Sequence, residues 1–166
     1  PDFEYGFGLN GSYANWDFSM FFQGSQGNKI YNGLAQDLNS TNLGINYSRD
    51  VLNAWTPTNH SVVPRVTSSD PNTNAMTSSR FLEDGSYIRM KTLQVGYTLK
   101  NEFAKKIKIT SLRTYVSADN LFTITDYSGF NPDLGRSGGI TDRGVDFGHV
   151  AYPLARTISL GIQLTL

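Results

Sequence analysis

The chain has 166 residues, 14 basic and 14 acidic, and no cysteine, so it is long enough for one sizeable core and lacks the basic footprint of a nucleic-acid binder. Aromatic residues reach 13%, and Gly, Asn, Ser and Thr are abundant, which favours strands joined by polar loops over helices. No run approaches the ~20 apolar residues of a membrane helix, which leaves a membrane barrel open because its segments carry a much weaker signal.

The chain starts at Pro1 without a Met or signal peptide, so it is expected to be a mature piece or fragment. Residues 2–13 alternate, with Phe3, Tyr5, Phe7, Leu9 and Tyr13 against Glu4, Gly6, Gly8, Asn10 and Ser12. A tight Ala14-Asn15 turn leads into 16–23, where Trp16, Phe18, Met20 and Phe22 continue the apolar set. This predicts a hairpin whose apolar face is mostly aromatic, as suits a membrane interface, and whose other face is too small and polar to fill a core. From 24 to 80 the pattern dissolves into Asn, Ser, Thr, Gly and Pro. A structureless connection that long is uncommon in a compact soluble domain, whereas outer-membrane barrels have long extracellular loops.

Alternation returns over 86–99, with Leu93, Val95, Tyr97 and Leu99 on one face. Strict period two also puts Arg89 and Lys91 on that face. A charge costs about 2–4 kcal/mol at mid-membrane, so this part of the strand is expected to stand above the bilayer. Residues 101–108 have the spacing of one helical turn, a marginal connector. A strand over 109–122 sets Leu112, Val116 and Ala118 against Arg113, Tyr115 and Ser117. A Gly- and Asp-rich loop over 125–151 precedes the last strand, 156–166, where Ile158, Leu160, Ile162, Leu164 and Leu166 alternate with Thr157, Ser159, Gly161, Gln163 and Thr165. That strand carries neither charge nor proline from 157 on, so as the edge of a soluble sheet it invites aggregation, and closing a barrel removes the edge.

Connections therefore alternate short and long. With the carboxyl end in the periplasm, both long ones fall outside the cell. Bacterial single-chain barrels start at eight strands, so these five are expected to be the end of a larger barrel. The competing expectation is a secreted β-sandwich carbohydrate-binding module, with evenly spaced strands every 8–12 residues, a spacing that 24–80 breaks.

Several segments resemble the carboxyl end of SusC/RagA-family TonB-dependent outer-membrane transporters of Bacteroidetes. They are Asp2–Phe7 with Phe22–Gly24, Phe81–Tyr97, Leu112–Phe122, Tyr127–Pro132 and Tyr152–Gly161, in the family's order. The resemblance implies an all-β fold, an antiparallel transmembrane β-barrel of roughly 22 strands closed by a plug domain, of which this chain supplies the last five. It also implies an active importer of glycan or peptide oligomers that works with a SusD-like surface lipoprotein and takes its energy from TonB. Ser159, Gly161, Leu164 and Leu166 resemble the signal read by the barrel-assembly machinery, although Leu166 stands where that signal usually has an aromatic residue.

Opposite the apolar face, Arg113 and Tyr115 are expected to look into the lumen, where they line a substrate path or bond to a plug. Loop aromatics Tyr31, Trp55, Tyr127 and Phe130 are candidates for meeting the lipoprotein or the cargo, or for packing their own loops. No catalytic chemistry is expected. Gly6–Gly11 matches G-x-G-x-x-G, but inside an alternating strand, and Gly135–Gly139 matches G-x-S-x-G with no helix pattern after it. His60 and His149 have no metal-ligand spacing, and Asp133, Asp142 and Asp146 lack the calcium-loop pattern, so solvated loop charges are the expectation. Neither a cofactor nor a metal is expected.

Overall fold

The computed structural model describes residues 1–99, 110–134, 144–148 and 152–165. The expected turn at 101–108, the G-x-S-x-G stretch, Asp142, His149 and Leu166 lie outside them. In chain order the elements are β1 (Phe3–Tyr13), β2 (Trp16–Gln26), β3 (Lys29–Asn32), α1 (Gly33–Leu38), β4 (Leu82–Asp84), β5 (Tyr87–Thr98), β6 (Ser111–Thr125), β7 (Val145–Asp146) and β8 (Thr157–Thr165). They divide into a sheet unit, 1–27 with 86–125 and 154–166, and a loop unit, 28–85 with 126–153.

The sheet unit is a five-stranded antiparallel sheet in the order β1-β2-β5-β6-β8. Its short connection at Ala14-Asn15 turns tightly enough that Tyr13 faces Trp16 across the ladder, with Ala14 in the left-handed region at φ 54°. β2 runs to Gln26, past the expected end at Gln23, because Gly24 and Ser25 stay in the ladder opposite Ile88 and Tyr87. One side of the sheet is the apolar set read from the alternation. Phe18, Val95, Val116 and Leu160 stand in register across it, and so do Met20, Leu93, Ala118 and Ile158.

Strict alternation fails at one place. Met20 pairs with Leu93 and Phe21 with Thr92, but the next partner of Phe22 is Met90, so Lys91 is an extra residue in β5. The β5–β6 ladder is irregular at the same level, where Asn120 adopts φ 51°. A bulge inserts one unpaired residue and thereby reverses the parity of everything beyond it. Met90 therefore joins Phe22 and Phe122 on the apolar side, and Arg89 joins Gln23 and Thr123 on the polar side. This corrects the placement of Arg89 beside Leu93 and Tyr97, whereas Lys91, the bulged residue, has no paired position in either ladder. Arg89 is 2% exposed, its Nε donates to Thr123 Oγ1 at 2.8 Å, and its guanidinium lies over the Tyr87 ring.

The loop unit is not structureless. β3 pairs antiparallel with β4 and parallel with β7, giving a small three-stranded sheet in the order β4-β3-β7. Asn32 caps α1 by accepting from the Ala35 N–H at 2.8 Å, as short polar side chains do at helix starts. Ile30, Ala54, Phe81 and Tyr127 are its buried apolar residues.

Candidate functional site

The sheet unit presents two chemically opposed faces. On the apolar one, large side chains stand in the open: Phe7, Leu9, Phe18, Val95, Val116, Ile158, Ile162 and, at 84%, Leu160. Ala118 is the only buried hydrophobic of the described sheet unit, so the second sheet that a β-sandwich would pack here has no counterpart in the burial pattern. With Arg89 turned away, the paired residues of that face carry no Asp, Glu, Lys or Arg. Aromatic rings gather at both ends. Tyr13, Trp16 and Tyr97 stand in one row, with Trp16 and Tyr97 rings 4.9 Å apart. At the other end Phe7 stacks on Phe22 at 4.9 Å, and Phe22 meets Phe122 edge-on at 6.4 Å. An outward apolar band between two aromatic girdles is what a hydrocarbon layer with two polar interfaces selects.

The polar face holds Arg113 and Tyr115. Arg113 reaches across β5 to Asp17, with Nε to Oδ2 at 2.9 Å and Nη2 to Oδ1 at 2.5 Å, a two-pronged pair that fits the fork of a guanidinium to a carboxylate. The guanidinium also lies 5.0 Å from the centre of the Tyr115 ring. Two glycines make room for this layout. A Cβ on Gly96 would collide with Arg113 and Asp17, and one on Gly161 with the Tyr115 ring. Gly161, named for a possible assembly signal, thus also has a local packing reason. Ser159 lies beside it on the polar face, and Leu164 pairs with Leu112. The glycines of the G-x-G-x-x-G match sit within β1, paired with β2, where no helix start is available for a phosphate.

In the loop unit Tyr127 is 5% exposed, and its hydroxyl donates to Asp146 Oδ2 at 2.6 Å, so it packs its own loop. Burial, then the bond to Asp146, pushes its phenol well above the ordinary value. Asp146 is 1% exposed and its Oδ1 accepts from the Gly148 N–H at 2.7 Å, which corrects the expectation of a solvated charge. Tyr31 is half-buried, donating to Gln36 Oε1 at 2.6 Å and meeting Phe81 edge-on. Trp55 stacks on His60, while Phe130 is exposed at 58%. Of the four loop aromatics, Trp55 and Phe130 keep substantial open surface.

One polar network was invisible in the sequence. Asn32 Nδ2 donates to Glu83 Oε1 at 2.8 Å and to Ser128 Oγ at 3.0 Å, and Ser128 gives both its N–H and its hydroxyl to Glu83. It joins the two long connections into one body. Its partners are up to 96 residues apart, beyond any local pattern, although Asn32 before Gly33 is itself a legible helix start. Backbone N–H groups of Ala75 and Asn74 hold the Asp70 carboxyl below the usual carboxylate range. The polar hollow beside it, about 20 Å³, admits a water molecule and no larger ligand. Among the described residues no group of acids and histidines is arranged to hold a metal ion.

The fold is therefore a segment of antiparallel β-barrel wall, with one apolar face and one polar face. Over nearly its whole length the chain is homologous to TonB-dependent receptors of the SusC/RagA type. It is 37% identical over 170 aligned residues to TonB-dependent receptor P3 of Formosa agariphila, covering 99% of this chain and 16% of that protein. It is 27% identical to TonB-dependent receptor SusC of Bacteroides thetaiotaomicron, over 92% of this chain and 14% of that one. Among solved structures, that of the RagAB peptide transporter superposes with a TM-score of 0.77 at 29% identity, over 97% of this chain and 17% of its own. The chain thus spans about a sixth of the length of the relatives it matches. No protein-family model matches it.

Proposed function

We propose that the chain is the carboxyl-terminal part of the barrel of an outer-membrane active importer of large nutrients, glycan or peptide oligomers, in a Gram-negative bacterium. One observation carries this reading: an apolar face whose paired residues carry no charge, girdled by aromatics, backs onto a polar face whose Asp17–Arg113 pair belongs on the water side. The relatives support it, being named TonB-dependent receptors, SusC and a peptide transporter. In this reading the role is transport rather than catalysis. Outer-membrane lipid covers the apolar face, and Arg113 and Tyr115 look into the lumen. Both long connections leave the sheet from one end, beside Gln26, Tyr87 and Thr125, and form an extracellular unit. Trp55 and Phe130 are the open aromatics through which that unit meets a SusD-like surface lipoprotein or cargo. Energy arrives through TonB by way of the rest of the protein, and the barrel-assembly machinery inserts it, reading Ser159, Gly161, Leu164 and Leu166.

The test is oligomer uptake by cells carrying the full-length gene, with TonB or the partner lipoprotein removed in turn. Uptake lost in either deletion supports the reading. Uptake that persists without TonB overturns active import.

A further inference from the structure

On the apolar side, β6 and β8 pair Leu112 with Leu164, Thr114 with Ile162, Val116 with Leu160 and Ala118 with Ile158. A slip of β8 by one residue would turn its apolar side chains to the other face. A slip by two would not, because it only exchanges leucine for isoleucine, a swap that keeps volume and costs little. Nor does the connection set the register. Tight turns fix the pairing of a hairpin, and the chain from 126 to 156 is far longer than one.

The polar side does distinguish the registers. Tyr115 pairs with Gly96 on one neighbouring strand and Gly161 on the other, and Gly161 is the one glycine of Thr157–Thr165. The Tyr115 ring fills the space where a Cβ at 161 would stand, and Arg113 with Asp17 fills the space over Gly96. The Arg113 guanidinium lies 5.0 Å from the centre of the ring, and its Nε is fixed to Asp17 at 2.9 Å. Swinging the ring aside therefore costs that cation–π contact. The packed groups bridge β2, β5, β6 and β8. Slipped by two residues, β8 would bring Ser159 or Gln163 opposite Tyr115, each with a Cβ where the ring lies. A bond from Asn120 Nδ2 to Ala155 O, at 3.2 Å, also ties β6 to the segment before β8, but it is exposed and water competes for it.

We propose that Gly161 is a socket for the Tyr115 ring, and that this seat, braced by Arg113 and Asp17, sets the register in which the last strand docks on β6. An aromatic ring over a cross-strand glycine is a general means of pinning register. Gly161 then has a role in assembly beyond being read by the insertion machinery. The inference goes beyond the importer reading and holds whatever the cargo.

The experiment uses the full-length protein in the envelope of its host. Leu160→Cys is combined in turn with Val116→Cys, Thr114→Cys and Ala118→Cys, and the cells are oxidised. The Val116 pair bridges in the native register and the other two only after a slip of two residues, since a disulfide needs Cα atoms within about 7 Å. The parent is expected to bridge the Val116 pair about tenfold more than either other. Tyr115→Ala should keep the heat-modifiable folded band yet bring a slipped pair to within about threefold of the native one. Moving the socket, by Ser159→Gly with Gly161→Ser, should favour the Thr114 pair or lose the folded band, and adding Tyr115→Ala should then restore the band. Native bridging alone in Tyr115→Ala or in the moved-socket variant would overturn the proposal. So would a folded band lost in Tyr115→Ala itself, or lost on moving the socket and not restored by it. A parent without a heat-modifiable band would instead overturn the barrel reading, and this inference with it.

Discussion

The face assignment makes a graded prediction for a single added charge. Leu93 and Thr92 are adjacent in β5, yet Leu93 stands between Met20 and Ala118 on the apolar side while Thr92 stands between Phe21 and Asp119 on the other. Leu93 is four residues from Tyr97 in the aromatic girdle, which is about 14 Å along a strand at ~3.4 Å per residue. With a strand tilt near 45° this becomes about 10 Å of depth, close to the middle of an apolar band ~25 Å tall. Leu93→Lys should then cost about 2–4 kcal/mol, Tyr97→Lys about 0–1 because it lies at the interface, and Thr92→Lys less than about 0.5. The assay is the urea midpoint for loss of the heat-modifiable band, measured on the full-length protein folded in lipid vesicles. Equal costs at Leu93 and Thr92 would refute the facing. A cost at Tyr97 as large as at Leu93 would refute the depth.

Other consequences are as direct. Gly96→Ala puts a methyl group into the Arg113–Asp17 pair and should abolish the coupling that a double-mutant cycle of Asp17→Asn and Arg113→Gln detects in the parent; persistence of the coupling would mean the glycine is incidental. Tyr127→Phe leaves the buried Asp146 carboxylate short of a donor and should destabilise the loop unit by about 1–3 kcal/mol, read as faster protease cleavage within 28–85. Because the Tyr127 phenol is raised in the folded unit, its proton is held longer there than in the opened chain. Protection should accordingly be complete below the ordinary phenol value of 10.0 and fall as pH rises above it, a slope that the Phe variant lacks. Ala14 occupies a left-handed conformation that costs an L-residue about 1–2 kcal/mol, so Ala14→Gly should raise the urea midpoint modestly, the gain reduced by the greater freedom of glycine when unfolded.

The strands of the sheet were legible because period two is a local signal, and Thr157–Thr165 carries it without a fault. The same signal misassigned Arg89. A bulge is one residue inserted among identical-looking neighbours, and Met90-Lys91-Thr92 gives no glycine or proline to mark it. The geometry was still hinted at by its consequence, an arginine on the wrong face of an otherwise apolar strand. The loop unit was illegible for a different reason. β3, β4 and β7 contribute four, three and two residues, too short for periodicity, and Asn32, Glu83, Ser128 and Asp146 meet only through the fold. Polar composition suggested an open loop there because a buried polar network and a solvated one look alike in sequence. Tyr127 illustrates this: sequence left it open between a contact with lipoprotein or cargo and the packing of its own loop, and its burial and its bond to Asp146 belong to the second. Arg113 was easier, since alternation alone separated it from Leu112, though its partner Asp17 lies 96 residues away.

The central claim is that this chain forms part of a barrel wall in an outer membrane. Its most direct test is to fractionate the envelope of the native host and run the full-length product on a gel with and without boiling. Enrichment in the outer-membrane fraction, with an unboiled band migrating apart from the boiled one, is the predicted result. A soluble product with a single band under both conditions would contradict it.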